Sequence, residues 1–326
     1  MQRLRAYGLL FAIVAAFGLM RASPSAAQPA GRAVRIVYAY QAGGSGDALA
    51  RLLADRLQVR FGYPTIVENK AGASGRVGTR AVIAADPDGT TFLFSPVGPI
   101  SLHPVVYSNL DFDTFADLAP VSQIATFDNA LLVSTNVPAK TLDELVAWLR
   151  ANPGKANYGT PGLGGLPHFF AVMFAESAKV TMRNVPYRGG AGALNDLVAG
   201  QLPLAFLASS DAAAVAKAGK ARVLATSGKA RSPLFDGVPT LREAGYPIEG
   251  EGWYGLYAPA RTPSSIVEKM SAEVRAILEE PATRGRMTTL GLVPTGTTLE
   301  ALRRIQKADQ DLWAPAIRAS GFKPDD

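Results

Sequence analysis

Short β-rich runs alternate with helix-patterned stretches along most of this chain, and that rhythm limits its possible folds more than any other feature. VRIVYAY at 34–40 is a continuous apolar run, the pattern of a strand buried on both faces. The glycine-rich loop 41–46 follows, and Asp47 is expected to start a helix whose apolar face is Leu49, Leu52, Leu53 and Leu57. A strand at 65–69, a helix starting within 75–78, the turn Asp86-Pro87-Asp88-Gly89 and a strand at 91–95 complete a βαβαβ unit.

The theme recurs downstream. Strands are expected over 118–126, 130–134, 157–160, 182–185, 204–207, 221–226 and 253–258, with helices starting near Gly164, Gly190 and Ser210. Thr141-Leu142-Asp143-Glu144 is a capping box for a helix reaching Asn152, because the Thr hydroxyl and the Glu carboxylate can each satisfy a free amide. At Thr262-Pro263, Thr is placed to cap and Pro to take the first position of a helix carrying Ile266, Met270, Val274 and Ile277 on one face. A last amphipathic segment covers 298–319. With neither a low-complexity linker nor a solenoid period, the fold class expected is α/β, two lobes each built on a parallel or mixed sheet flanked by helices.

At 326 residues the chain is long enough to bury a large core, and it has no cysteine. Residues 1–27 carry Arg3 and Arg5, an apolar run from Gly8 to Met20, and small residues at Ser25 and Ala27. That is the pattern of a signal peptide cleaved near Ala27, and the run is short of the roughly 20 residues that span a bilayer. Arg3, Arg5 and Arg21 leave with it and no acidic residue does, so the formal charge falls from +6 to +3. The remaining Lys and Arg are scattered, which argues against nucleic acid as a partner.

Catalytic groups are scarce. There are two histidines, His103 and His168, and both Gly43-Gly44-Ser45-Gly46-Asp47 and Gly72-Ala73-Ser74-Gly75-Arg76 lack the last glycine of a nucleophile elbow. A hydrolase built on His168 is the enzymatic alternative. Without Cys or a dense acidic cluster no metal site is expected, nor any cofactor.

Two loops carry more information. Gln41 to Asp47 and Tyr158 to Gly165 each follow an expected strand and open an expected helix. Converging backbone amides at a helix N-terminus make an anion site, and the competing reading is a tight turn. Neither loop has a nucleotide fingerprint, so a small carboxylate suits them better. Asp47 itself fits an N-cap, His168 fits a residue that orients its loop, and Arg188 either pairs with a carboxylate or faces solvent. Tyr187 and Phe127 fit plain core.

The chain resembles the extracytoplasmic solute receptors of tripartite tricarboxylate transporters, the Bug receptors. The motifs are Gly43-Gly44-Ser45-Gly46-Asp47 with Ala50-Arg51, Val67-Glu68-Asn69-Lys70-Ala71-Gly72, Asp86-Pro87-Asp88-Gly89, Tyr158-Gly159-Thr160-Pro161-Gly162 with His168, Val185-Pro186-Tyr187-Arg188-Gly189, Val238-Pro239-Thr240 with Glu243, and Trp253-Tyr254-Gly255. The resemblance implies a two-lobe periplasmic binding protein with its ligand in the cleft, 28–127 with 253–326 forming one lobe and 128–252 the other. It implies a periplasmic receptor, no reaction, a small organic carboxylate as ligand, membrane transporter subunits as partners, and action as a monomer; a carboxylate-sensing subunit is the alternative. Carried onto this chain, the ligand residues are Gly43, Gly44, Ser45, Gly46 and Asp47 with Thr160, Pro161, Gly162 and Gly164. Gln41 stands where the family has proline, His168 and Arg188 flank the second loop, and Ser209 and Asp211 lie where the family brings a polar side chain near the cleft.

Overall fold

The protein is described by a computed structural model covering residues 33–324, and the expected leader 1–27 lies outside the described residues. In chain order the first part contains β1 (Val34–Tyr38), α1 (Ser45–Phe61), β2 (Thr65–Asn69), α2 (Arg76–Ile83), β3 (Thr91–Pro96) and a wide helical turn, Gly98–Leu102, running into α3 (His103–Val106). Then follow β4 (Leu118–Ser134), α4 (Leu142–Ala151), β5 (Asn157–Thr160), α5 (Leu166–Ala178), β6 (Arg183–Pro186), α6 (Gly190–Val198), β7 (Leu204–Ala208), α7 (Ser209–Lys217) and β8 (Ala221–Thr226). The chain returns through β9 (Glu251–Pro259), α8 (Ser264–Glu279), α9 (Pro281–Thr289), β10 (Val293–Pro294) and α10 (Leu299–Ala319).

The strands lie in the order β2-β1-β3-β9-β4-β7-β5-β6, with β8 and β10 also paired to β4. β1 is parallel to β2 and β3, and β5 to β6 and β7, as strand-helix-strand connections require. β9 runs antiparallel to β3 and to β4. Each lobe is therefore a mixed sheet flanked by helices.

β4 joins the two. Its first part pairs with β9 from Leu118↔Pro259 to Asp128↔Glu251, and its last part pairs with β7 from Asn129↔Ala208 and with β8 from Ala130↔Thr226. The sequence led to separate strands at 118–126 and 130–134; one 17-residue strand is found instead. Its partners change at Asp128 and Asn129 but the backbone stays extended, because the Asn129 N–H donates to Ser227 Oγ (3.0 Å) and the Ser227 N–H to the Asn129 carbonyl (2.8 Å).

Local rules hold at most helix starts. Thr141 Oγ1 accepts the Glu144 N–H, while the Glu144 carboxylate takes the N–H of Lys140, and Thr298 Oγ1 accepts the Ala301 N–H. Thr262 does not cap: its hydroxyl is buried without a partner among the described residues, and Pro263 is itself the N-cap, its carbonyl accepting from Ile266 and Val267. The first helix also starts earlier than expected, at Ser45, so Asp47 lies in its first turn. Leu49, Leu53 and Leu57 are fully buried as their spacing requires, holding α1 on the sheet and fixing the direction of its N-terminus.

Candidate functional site

A cavity opens where the carboxyl ends of β1, β3, β5 and β7 face one another, the usual ligand position in open α/β sheets. Tyr38, Tyr40 and Tyr254 line it from one lobe, Pro161, Gly162 and Asp211 from the other, and Phe127 and Asn129 from the part of β4 that joins them.

The glycine loop before α5 lines this cavity through Pro161, Gly162, Leu163 and Gly165, whereas none of residues 41–47 is among its lining residues; the two loops nevertheless open their helices with nearly the same backbone. Gly44 caps α1 with φ −91° and ψ 175°, and Gly165 caps α5 with φ −95° and ψ 171°; neither offers a side chain to the free amides. At the first loop the missing cap comes from the other lobe: Asp211 Oδ1 accepts the Ser45 N–H at 2.6 Å. Ser210 Oγ donates to Ser45 Oγ at 2.8 Å beside it. Burial raises the Asp211 pKa above the ordinary carboxylate value, and the Ser45 hydrogen bonds pull the other way. Room for this carboxylate depends on Gly190, where a Cβ would lie 2.3 Å from Asp211 Oδ2.

Asp47 was expected as the N-cap. Its carboxylate instead accepts from the Gly43 N–H, from Arg51 Nε and Nη2, and from Asn69 Nδ2. Burial alone would raise its pKa, but these donors outweigh burial and hold it below the ordinary value. The Gln41 N–H donates to the Arg188 carbonyl, and both residues are exposed and outside the cavity lining.

At the second loop the Thr160 hydroxyl lies within hydrogen-bond distance of the Gly162 carbonyl (2.9 Å) and Asn184 Oδ1 (3.0 Å), shaping the turn. The Leu163 N–H crosses between lobes to Ser74 Oγ at 2.8 Å. Ser74 has φ 54° and Ala73 φ 44°, left-handed conformations uncommon outside glycine, and the Tyr40 hydroxyl fixes the Ser74 carbonyl at 2.9 Å. His168 Nδ1 accepts the Gly164 N–H at 3.4 Å, and its ring meets Phe322 edge-on at 4.4 Å. Burial pushes the His168 pKa down to about 4, so the ring is neutral at pH 7 and works as a loop support.

Of the residues named from sequence, Pro161, Gly162 and Asp211 line the cavity itself. Ser45 touches Asp211, whereas His168, Arg188 and Thr160 stand behind or outside the wall, and Ser209 is buried with its hydroxyl unpartnered among the described residues. Sequence reasoning missed the aromatic side. Phe127, expected as plain core, lies 4.8 Å from the Tyr254 ring, and Phe94 stacks behind Tyr254 at 5.2 Å. Tyr38 and Tyr254 hydrogen-bond to each other, and burial raises both phenol pKa values well above 10, so both stay protonated. Gly46 permits the approach of these hydroxyls, because a Cβ there would lie 2.2 Å from that of Tyr38. The one available signal was Tyr38 and Tyr40 placed at the end of a strand leading into a glycine loop.

Among the described residues no group of three or more His, Cys, Asp or Glu could hold a metal ion, and no helix is long and apolar enough to cross a membrane. Residues 49–322 match the model of the tripartite tricarboxylate transporter family receptor. A UPF0065 protein in the gbd 5' region of Cupriavidus necator is 33% identical over 285 residues, covering 87% of this chain and 86% of that one. The solved structure of the periplasmic binding protein BugD is 29% identical with a TM-score of 0.86, covering 90% of this chain and 98% of its own. R. palustris Rpa4515 with adipate is 30% identical with a TM-score of 0.87, covering 91% and 99%. A mixed α/β fold, a cavity between two lobes and these matches agree: the chain belongs to the tripartite tricarboxylate transporter receptor family, whose members are solute-binding receptors and not enzymes.

Proposed function

We propose that this chain is a periplasmic receptor that encloses a small organic carboxylate between its lobes and delivers it to membrane subunits of a tripartite transporter. The observation that carries this reading is the cavity between the lobes, walled by both and lined by the glycine-capped N-terminus of α5, with Asp211 on its wall reaching the N-terminus of α1. Adipate in the related Rpa4515 supports the ligand class. In this reading residues 28–127 with 253–326 form one lobe and 128–252 the other. Asp211 to Ser45 and Leu163 to Ser74 are the contacts that close them, and ligand favours the closed population by touching both sides. The carboxylate is held by backbone amides of the glycine loop before α5, with His168 supporting that loop from behind.

Thermal-shift screening of the mature chain against mono-, di- and tricarboxylates, amino acids and aromatic acids tests this. A tight ligand at 100 times its Kd stabilises by about 2.7 kcal/mol without being consumed. A chain that no carboxylate stabilises, but that turns over an ester or amide in a reaction abolished by His168→Ala, would be a hydrolase.

A further inference from the structure

The interlobe cavity contains a negative group and no positive one. Asp211 is the one formally charged side chain among its lining residues, which include no Lys, Arg or His. Its carboxylate is fixed in place by the Ser45 N–H at 2.6 Å and sits in space left by Gly44 and Gly190. That amide lies at the N-terminus of the 17-residue α1, where the helix dipole favours the ionised form.

Asn129 is a second polar group on the wall. It is 2% exposed, and both its Oδ1 and Nδ2 have no hydrogen-bond partner among the described residues. A buried amide is normally satisfied, so one that is not, and that lines a cavity, is a group awaiting a ligand with both a donor and an acceptor. Four aromatic side chains, Tyr38, Tyr40, Phe127 and Tyr254, share the rest of the wall with glycine, proline and aliphatic residues. Ring faces next to a carboxylate attract organic cations, whereas a second bare carboxylate would meet Asp211 with no cationic side chain between them.

We infer that this receptor takes zwitterions, small amino or quaternary-ammonium carboxylates, with the ligand's cationic nitrogen beside Asp211 and the aromatic wall and its carboxylate toward the N-terminus of α5. Asn129 then spans the two ends, its carbonyl facing the ammonium and its amide the carboxylate. The inference rests on the carboxylate-receptor reading above and narrows its ligand class.

The test is isothermal titration of the mature chain with matched pairs that differ only in the nitrogen: glutamate and glutarate, 4-aminobutyrate and butyrate, phenylalanine and 3-phenylpropionate, with glycine betaine as the quaternary member. At least one nitrogen-bearing ligand should bind roughly 50-fold or more tightly than its deaminated partner, the loss usual when one member of a buried charge pair is removed. Asp211→Asn, close to isosteric, should erase that preference by weakening the nitrogen-bearing member while leaving the deaminated one equal or improved. If deaminated acids bind as well as or better than their partners in the unsubstituted chain, the inference is overturned and the carboxylate receptor stands. If neither column nor any other carboxylate binds, both fail. The comparison of pairs in the unsubstituted chain decides the matter even if Asp211→Asn does not fold.

Discussion

The two glycine loops begin alike and end differently. Gly44 and Gly165 share extended backbone angles, each opens a helix, and neither supplies a cap. Yet the first amide of α1 is taken by a carboxylate from the opposite lobe, whereas the loop before α5 is propped by a neutral imidazole and a serine hydroxyl. A helix N-terminus advertises an anion site in sequence, but only the tertiary fold decides whether the anion is the protein's own. The first loop is electrostatically filled by Asp211, and in the proposed reading the second keeps its field for a guest.

This contrast is easiest to break with acid, where the largest effect is expected. His168 has a folded pKa of about 4 against an ordinary 6.5. Its support is therefore full above pH 6.5 and is lost as pH falls through about 4, a change on the order of 3 kcal/mol. His103, fully buried and depressed to about 3, first by burial and then by Arg76, acts in the same direction. Urea unfolding at pH 7 and pH 4 should show the loss, with a shallower slope in His168→Gln. A pH-independent midpoint would remove the imidazole from the account of the second loop.

A single methyl group probes the crowding of each loop. Gly46→Ala drives a Cβ against the Tyr38 and Tyr254 hydroxyls and should cost about 2 kcal/mol by overpacking. Gly165→Ala meets nothing nearer than 3.7 Å and should change stability by less than about 0.5 kcal/mol. Equal shifts in thermal midpoint would mean the first loop is no tighter than the second.

The interlobe contacts come last in size. Asp211→Ala leaves the Ser45 amide uncapped and should cost about 1 kcal/mol. Because burial raises the Asp211 pKa, its contribution is full below the ordinary carboxylate pKa and is lost as pH rises through the folded value. The cost of Asp211→Ala should thus grow on acidification while that of His168→Gln shrinks. Ser74→Ala removes the acceptor for Leu163, about 1 kcal/mol, but Ser74→Gly should lose less because it also relieves φ 54°. Chemical denaturation of the pair separates contact from strain.

Much of this was legible locally. The apolar run at 34–40, the leucines of α1 and the cap Thr141 each follow from neighbours a few residues away, and each is found in place. The loops themselves were visible because a glycine cluster at a strand-helix junction serves either a tight turn or a close backbone approach to a ligand. Illegible features were set by distant partners. Asp211 lies 166 residues from Ser45, so no spacing rule could pair them. Phe127-Asp128-Asn129 suggested a break in a strand, since the ladder that keeps it extended comes from Ser227, Glu251 and Gly252. Tyr38 and Tyr254 match the pattern of core residues because a cavity wall at the end of a buried strand has the same period as the core behind it.

β4 has one further consequence. Its backbone hydrogen bonds are divided between β9 on one side of Asn129 and β7 and β8 on the other, so neither half of the molecule can lose its sheet without stripping an edge from its neighbour. Heat or denaturant should therefore melt the protein in a single cooperative step, and either half expressed alone would lack a continuous template for its own centre.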